Sequence, residues 1–223
     1  MSYLSRMNLH PRRRGTTDLL NNPWKMHAAV MSCFPPDLTS DGNHRVLWRI
    51  DRSDHAISLL IVSRDQPSFT HLQEQAGWEN QTSWETARYD PFLNRIQTGS
   101  SYRFRLTANS STTLRTENRG RKQLGILDAK GQQEWLIKRA EKRGFSVSIP
   151  DPGADPDVKP TFQVTNSALR RFHREQRTVT LATAQYDGIL TVTDADQLRK
   201  TLTDGIGRAK GFGMGLLTLA PAG

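Results

Sequence analysis

The order in which strand-like and helix-like periodicities follow one another constrains this chain most. Tyr3, Ser5, Met7 and Leu9 alternate with Leu4, Arg6 and Asn8, a period of two that reads as a first strand. The Asn21-Asn22-Pro23 stretch then supplies a capping residue with Pro just behind it. This opens a helix from about Trp24 to Phe34, which stops at Pro35-Pro36. Strands His44 to Asp51 and Ala56 to Arg64, a short helix near Phe69 to Gln75 and a strand near Trp84 to Tyr89 complete a βαββαβ order.

The order then recurs. Tyr102 to Ala108 reads as a strand, and Lys130 to Arg143 as an amphipathic helix with Trp135, Leu136, Ile137 and Ala140 inward and Gly144 as its stop. Strands follow at Phe145 to Ile149, Thr161 to Ser167, Thr178 to Ala184 and Ile189 to Val192. A helix from Asp194 to Thr203 and a last strand from Met214 to Leu219 close the series. Asp151 to Lys159 is too rich in Pro for regular structure. The expected fold is α+β, two tandem ferredoxin-like (RRM-like) βαββαβ domains, residues 1–95 and 96–223, the second embellished by a hairpin.

Charge narrows the function. The first 100 residues hold 11 basic against 10 acidic side chains and the remainder 20 against 12, so nearly all of the net +9 lies in the second part. That asymmetry suits a polyanion, nucleic acid above all. Two runs concentrate it: Arg115, Arg119, Arg121 and Lys122, which the sequence places on a loop, and Arg170, Arg171, Arg174 and Arg177, between two strands. A solvated surface accounts for either run alone. No apolar run approaches the ~18 residues of a membrane span, and the triplet Arg12 to Arg14 leads into no apolar stretch of a leader. Cys33, the one cysteine, forms no internal disulfide. The expectation is a soluble chain of a reducing, cytoplasmic compartment.

Gly205, Gly207, Gly211, Gly213 and Gly215 crowd into GIGRAKGFGMG. A dinucleotide fingerprint needs a strand before its glycines and a helix after them, and here the order is reversed. What remains is a loop whose bare N–H groups can approach phosphates beside Arg208 and Lys210, or one whose glycines serve tight turns. The six histidines lack metal-ligand spacing, and Asp151, Asp155 and Asp157 lack that of a calcium loop. No metal and no cofactor is expected. His27 stands one turn into the first helix, at i+3 from Trp24 and two residues after Lys25; alone, a helical histidine reads far more readily as structural, so its position by itself decides nothing.

Several segments together resemble the CasE family, the CRISPR RNA-processing endoribonucleases of type I-E systems: MSYLSRMNL, NPWKMH, HRVLWRID, YRFRLTAN, GQQEWLIKRAEKRGF and GIGRAKGFGMGLLTLAP, in the family's order. The resemblance implies recognition of a repeat hairpin in precursor CRISPR RNA, one metal-free cut at its 3′ base, and retention of the mature RNA in the Cascade surveillance complex, where the backbone subunit is the chief protein partner. It implies a catalytic role for His27. Some members carry a Tyr where this chain has Trp24. Lys25 is a candidate for stabilising charge at the scissile phosphate. Candidates for gripping RNA are Arg170, Arg171, Arg174, Arg177, Lys159, Arg115, Arg119, Arg121 and Lys122, with Gly207, Arg208, Lys210, Gly211 and Gly213 of the glycine loop. The competing readings are a non-catalytic RNA-binding subunit and an unrelated nucleotide-binding enzyme.

Overall fold

The structure is a computed structural model that describes residues 1–36, 45–116, 120–153 and 158–222. The chain divides into two compact units. The first comprises Met1–Arg95, Phe172–Val179 and Ala209–Leu216, and the second Ile96–Arg171, Thr180–Arg208 and Leu217–Gly223.

In the first unit, β1 (Tyr3–Leu9) lies between β3 (Ile57–Ser63) and β4 (Trp84–Arg88), and β2 (Leu47–Arg52) flanks β3, giving the antiparallel order β2-β3-β1-β4. Met7 stands opposite Leu59 on one side and Trp84 on the other. The alternation in β1 puts Met7 and Leu9 on the face covered by α2 (Pro23–Met31) and α3 (Thr70–Ala76), where Met26, Val30, Leu72, Leu59 and Ile61 complete a core. Each such side chain contributes about 1.5–3 kcal/mol by leaving water. A short α4 (Asp90–Leu93) closes this part of the chain.

The sequence reading missed α1 (Arg14–Asn21), whose buried Thr16 and Leu19 lie one turn apart. Gly15, Thr16 and Thr17 are poor helix formers, and no side chain caps its start, so packing rather than propensity holds it. Helix α2 ends at Met31, short of Phe34, because Cys33 and Phe34 donate their N–H groups to Val30 and Met31 in a tighter turn. The strand expected from His44 begins at Leu47, and His44 itself lies outside the described residues.

The second unit repeats the topology. Between β5 (Ser101–Asn109) and the later strands come the hairpin β6 (Ser111–Thr116) and β7 (Gly120–Gly125), then α5 (Ala129–Ala140). There follow β8 (Phe145–Ser146), the small pair β9 (Ser148–Pro150) and β10 (Val158–Pro160), β11 (Phe162–Arg174), β12 (Arg177–Val192), α6 (Ala195–Asp204) and β13 (Leu217–Pro221). The sheet order β11-β12-β5-β13 places its second, third, first and fourth strands in the same sequence as in the first unit, and β8 pairs with the end of β12. The fold is therefore two tandem ferredoxin-like units.

Several boundaries differ from the sequence reading, each for a physical reason. Thr178 to Ala184 and Ile189 to Val192 belong to one strand, β12, although Asp187-Gly188 reads as a turn. Asp187 is held in the strand by Arg105, Thr165 and Gln185, and a Cβ on Gly188 would stand 2.4 Å from that of Phe162. Glycine is there for close strand packing. The last strand starts at Leu217 rather than Met214, since Gly213 and Gly215, with φ of 78° and 90°, interrupt extended backbone. On α5 the buried positions are Gln132, Trp135, Leu136 and Ala140, and Ile137 is half-buried. The stretch expected to be irregular up to Lys159 includes β10, with Lys159 opposite Ile149; Asp155 and Asp157 lie outside the described residues. No helix is long and apolar enough to cross a membrane among the described residues.

Candidate active site

Asn22 and Pro23 set the site. The Asn22 carboxamide oxygen accepts the Trp24 N–H at 2.9 Å, Pro23 occupies the first turn, and the resulting helix presents Trp24 and His27 on one side, three residues apart. Their ring centroids are 5.9 Å apart, and both rings are half-buried. The Asn22 amide nitrogen also donates to the His173 carbonyl at 3.4 Å, tying the tip of the β11–β12 hairpin to this helix. Next to that tie the Arg174 guanidinium lies over the Trp24 indole, 4.4 Å from the ring centroid. Phe172 packs edge-on against Phe212 of the glycine loop at 4.9 Å.

His27 is held below the ordinary histidine value of about 6.5, first by burial, which disfavours the charged ring, and second by the Arg174 charge. Its imidazole is therefore mostly neutral at pH 7, the form that accepts a proton. The buried Nδ1 has no hydrogen-bond partner, which leaves Nε2 as the nitrogen for chemistry. Gly211 presents bare backbone to the ring: a Cβ added there would lie 3.6 Å from both Cε1 and Nε2.

The glycine loop is anchored by a pair of residues that the sequence reading did not single out. Arg49, 1% exposed, forks onto Asp51 at 2.6 and 2.9 Å and donates to the Leu216 carbonyl at 2.9 Å. Gly213, at φ 78°, lies so close to Trp48 that a Cβ would come within 2.5 Å of the indole, so a side chain is excluded on both counts. The spacing of Arg49 and Asp51 in LWRID was the available signal, because i and i+2 share a strand face. Arg49→Met should lower unfolding stability by about 3 kcal/mol, since it removes a buried charge-assisted donor from the Asp51 carboxylate and the Leu216 carbonyl. Chemical denaturation measures this, and an unchanged midpoint would mean that the clamp carries no net stability.

The structure brings together His27, Trp24, Arg174 and Gly211, with exposed Lys25 on the same helix and Lys210 beside Gly211. Gly213 packs on Trp48, and Gly207 packs on Trp135 in the second unit, where exposed Arg208 follows it. Arg170, Arg171 and Arg174 are on β11 itself and Arg177 begins β12, flanking the turn Glu175-Gln176. Arg115, Arg121 and Lys122 belong to strands β6 and β7 rather than to a loop, with Arg115 opposite Arg121, while Arg119 lies outside the described residues. No group of three or more His, Cys, Asp or Glu side chains that could hold a metal occurs among the described residues.

Comparison with known proteins adds family evidence. The profile of a family described as CRISPR associated protein matches residues 2–221. The chain is 25% identical over 227 residues to the CRISPR-associated endoribonuclease Cse3 of Thermus thermophilus, covering 98% of this chain and all of that one. It is 30% identical over 189 residues to the CRISPR system Cascade subunit CasE of Escherichia coli, covering 80% and 90%. A solved structure of Thermus thermophilus Cse3 bound to an RNA representing a pre-cleavage complex superposes with a TM-score of 0.80, at 25% identity and over 99% of both chains.

Proposed function

The chain belongs to the CRISPR associated protein family, and from that premise we propose that it is a metal-independent endoribonuclease. It cuts precursor CRISPR RNA at the 3′ base of the repeat hairpin and keeps the mature RNA as a subunit of a type I-E Cascade complex. The observation that carries the catalytic half is the placement of His27, one helical turn from Trp24, beside bare backbone at Gly211 and near the Arg174 charge, with burial disfavouring its charged form.

RNA brings its own nucleophile. In the proposed step His27 takes the proton of the 2′-hydroxyl, and the 2′-oxygen attacks the adjacent phosphorus. The bond from phosphorus to the 5′-oxygen breaks and that oxygen takes up a proton from solvent water, leaving a 2′,3′-cyclic phosphate and a 5′-hydroxyl, while His27 returns its proton to solvent. Arg174 and Lys25 supply positive charge for the phosphorane that builds up. An A-form stem hides its base edges, so the grip is on phosphates and shape, the task we assign to Arg170, Arg171 and Arg177. Lys159 and the basic β6–β7 hairpin add to that grip, as do Arg208 and Lys210 with the glycine backbone. In this reading residues 1–95 carry the helix that cuts and residues 96–223 supply most of the grip, with Phe172–Val179 and Ala209–Leu216 packed into the first unit, and the chain works in the cytoplasm with the complex's backbone subunit as chief protein partner.

Incubating the purified chain with its cognate repeat RNA in excess EDTA and identifying the product ends tests the proposal. Cleavage at one site, with a cyclic phosphate on the 5′ fragment, is expected. Binding without cleavage would assign the chain to the non-catalytic RNA-binding class instead.

A further inference from the structure

Outside the cluster around His27, the loop joining α3 to β4 carries a built feature that the reaction does not use. The Gln73 side chain, projecting from α3, staples this loop. Its Nε2 donates to the carbonyls of Trp78 and Gln81, its Oε1 accepts the Ser83 N–H at 3.0 Å, and the Trp78 N–H donates to Ser83 Oγ at 2.7 Å. On this fixed loop Trp78 is 38% exposed. The His10 ring stands beside it at 4.2 Å between centroids, tilted by 58°. Together with Arg13, Glu79, Asn80 and Gln81 the two rings line an open cleft of ≈ 340 Å³.

The chemistry of the lining selects an occupant. A fixed, partly exposed indole with the His10 ring beside it lines the cleft as an aromatic wall on which a flat ring can stack, and the amides of Asn80 and Gln81 present donors and acceptors of the kind that base edges complement. Arg13 is engaged by Glu79 and by the Glu74 carbonyl, so the Glu79 carboxylate is neutralised. Arg12, whose N–H donates to His10 Nδ1 at 3.2 Å, and Arg14 are exposed and form no ion pair among the described residues. Arg12 in the turn before α1 and Arg14 at its first position thus add two such cations beside an aromatic cleft. An acidic backbone carrying unpaired bases fits both features, whereas an apolar protein segment would leave the cations unanswered.

We propose that this cleft holds one unpaired base of a single-stranded RNA segment flanking the repeat hairpin, stacked on Trp78, with Arg12 and Arg14 meeting the neighbouring phosphates. The inference rests on the RNA-processing reading above and names a part of the substrate beyond the hairpin.

Fluorescence polarisation of the full chain in EDTA tests it, using the cognate hairpin made with a 2′-deoxy cut site, either bare or extended by on the order of six unpaired nucleotides. The extension should tighten wild-type binding about tenfold, the equivalent of 1.4 kcal/mol of stacking. Trp78→Ala should abolish that gain while leaving bare-hairpin affinity and the cleavage rate of the all-ribose RNA unchanged. Trp78→Phe should keep most of the gain, and the paired substitution Arg12→Ala with Arg14→Ala should reduce it and its salt dependence. A gain that survives Trp78→Ala, or an extension that adds nothing to the wild type, overturns the proposal and leaves the cleft to a protein partner. Failure of the wild type to bind the bare hairpin would sink the underlying RNA reading instead, so the two failures are distinguishable.

Discussion

Replacing His27 by Ala should lower the single-turnover rate of repeat cleavage by roughly 10² to 10⁴ while leaving hairpin affinity nearly intact, because a proton-transfer group acts mainly in the transition state. Trp24 cannot take over: indole is a donor only, and here its face is occupied by Arg174. Trp24→Phe keeps a π face and should cost tenfold or less. The pH profile carries an independent signature. Burial and Arg174 depress the His27 pKa, so the base is charged only in acid, and the wild-type rate should rise with pH through a value below the ordinary ~6.5 and then level off. Rates at saturating RNA across pH, with a 2′-deoxy cut site as control, check this. Near wild-type cleavage by His27→Ala removes it as the catalyst, and cleavage of the 2′-deoxy substrate removes the internal nucleophile.

What the sequence made legible was what local chemistry decides. Alternation in Tyr3–Leu9 needs only neighbours, as do the Asn22-Pro23 helix start and the left-handed stop at Gly144, φ 80°, and all three stand in the structure as read. The contacts that make the candidate site are of another kind. Arg174 over Trp24, Gly211 against His27 and Arg49 on the Leu216 carbonyl join segments far apart in the chain, and no local pattern encodes them. The same cause explains the elements that were missed. Helix α1 exists because Thr16 and Leu19 find a core, and β12 runs through Asp187-Gly188 because Arg105 neutralises the one and Phe162 packs on the other. In each case tertiary contact overrides a local preference.

The arginines of the β11–β12 hairpin should carry the largest share of RNA affinity, though not as four equal charges. Replacing Arg170, Arg171, Arg174 and Arg177 together by Ala should weaken hairpin binding about a thousandfold or more at moderate salt and flatten the dependence of log affinity on log salt, as expected when several phosphate contacts of roughly 1 to 3 kcal/mol each are lost. Single substitutions separate their roles. Phe172 turns inward on β11, so the strand period sends Arg171 to the opposite side and Arg174 to the Phe172 side, where it meets Trp24. Arg171→Ala and Arg177→Ala should weaken binding yet leave the rate at saturating RNA unchanged. Arg174→Ala should do more: removing a positive neighbour raises the His27 pKa, so the acid limb of the rate profile moves to higher pH, while Arg174→Lys keeps the charge and holds the limb in place. Because burial is the larger cause of the depression, the limb should move part of the way toward the ordinary value. Unchanged affinity in the fourfold variant would reject the hairpin as the RNA grip, and an unmoved limb in Arg174→Ala would reject its coupling to His27.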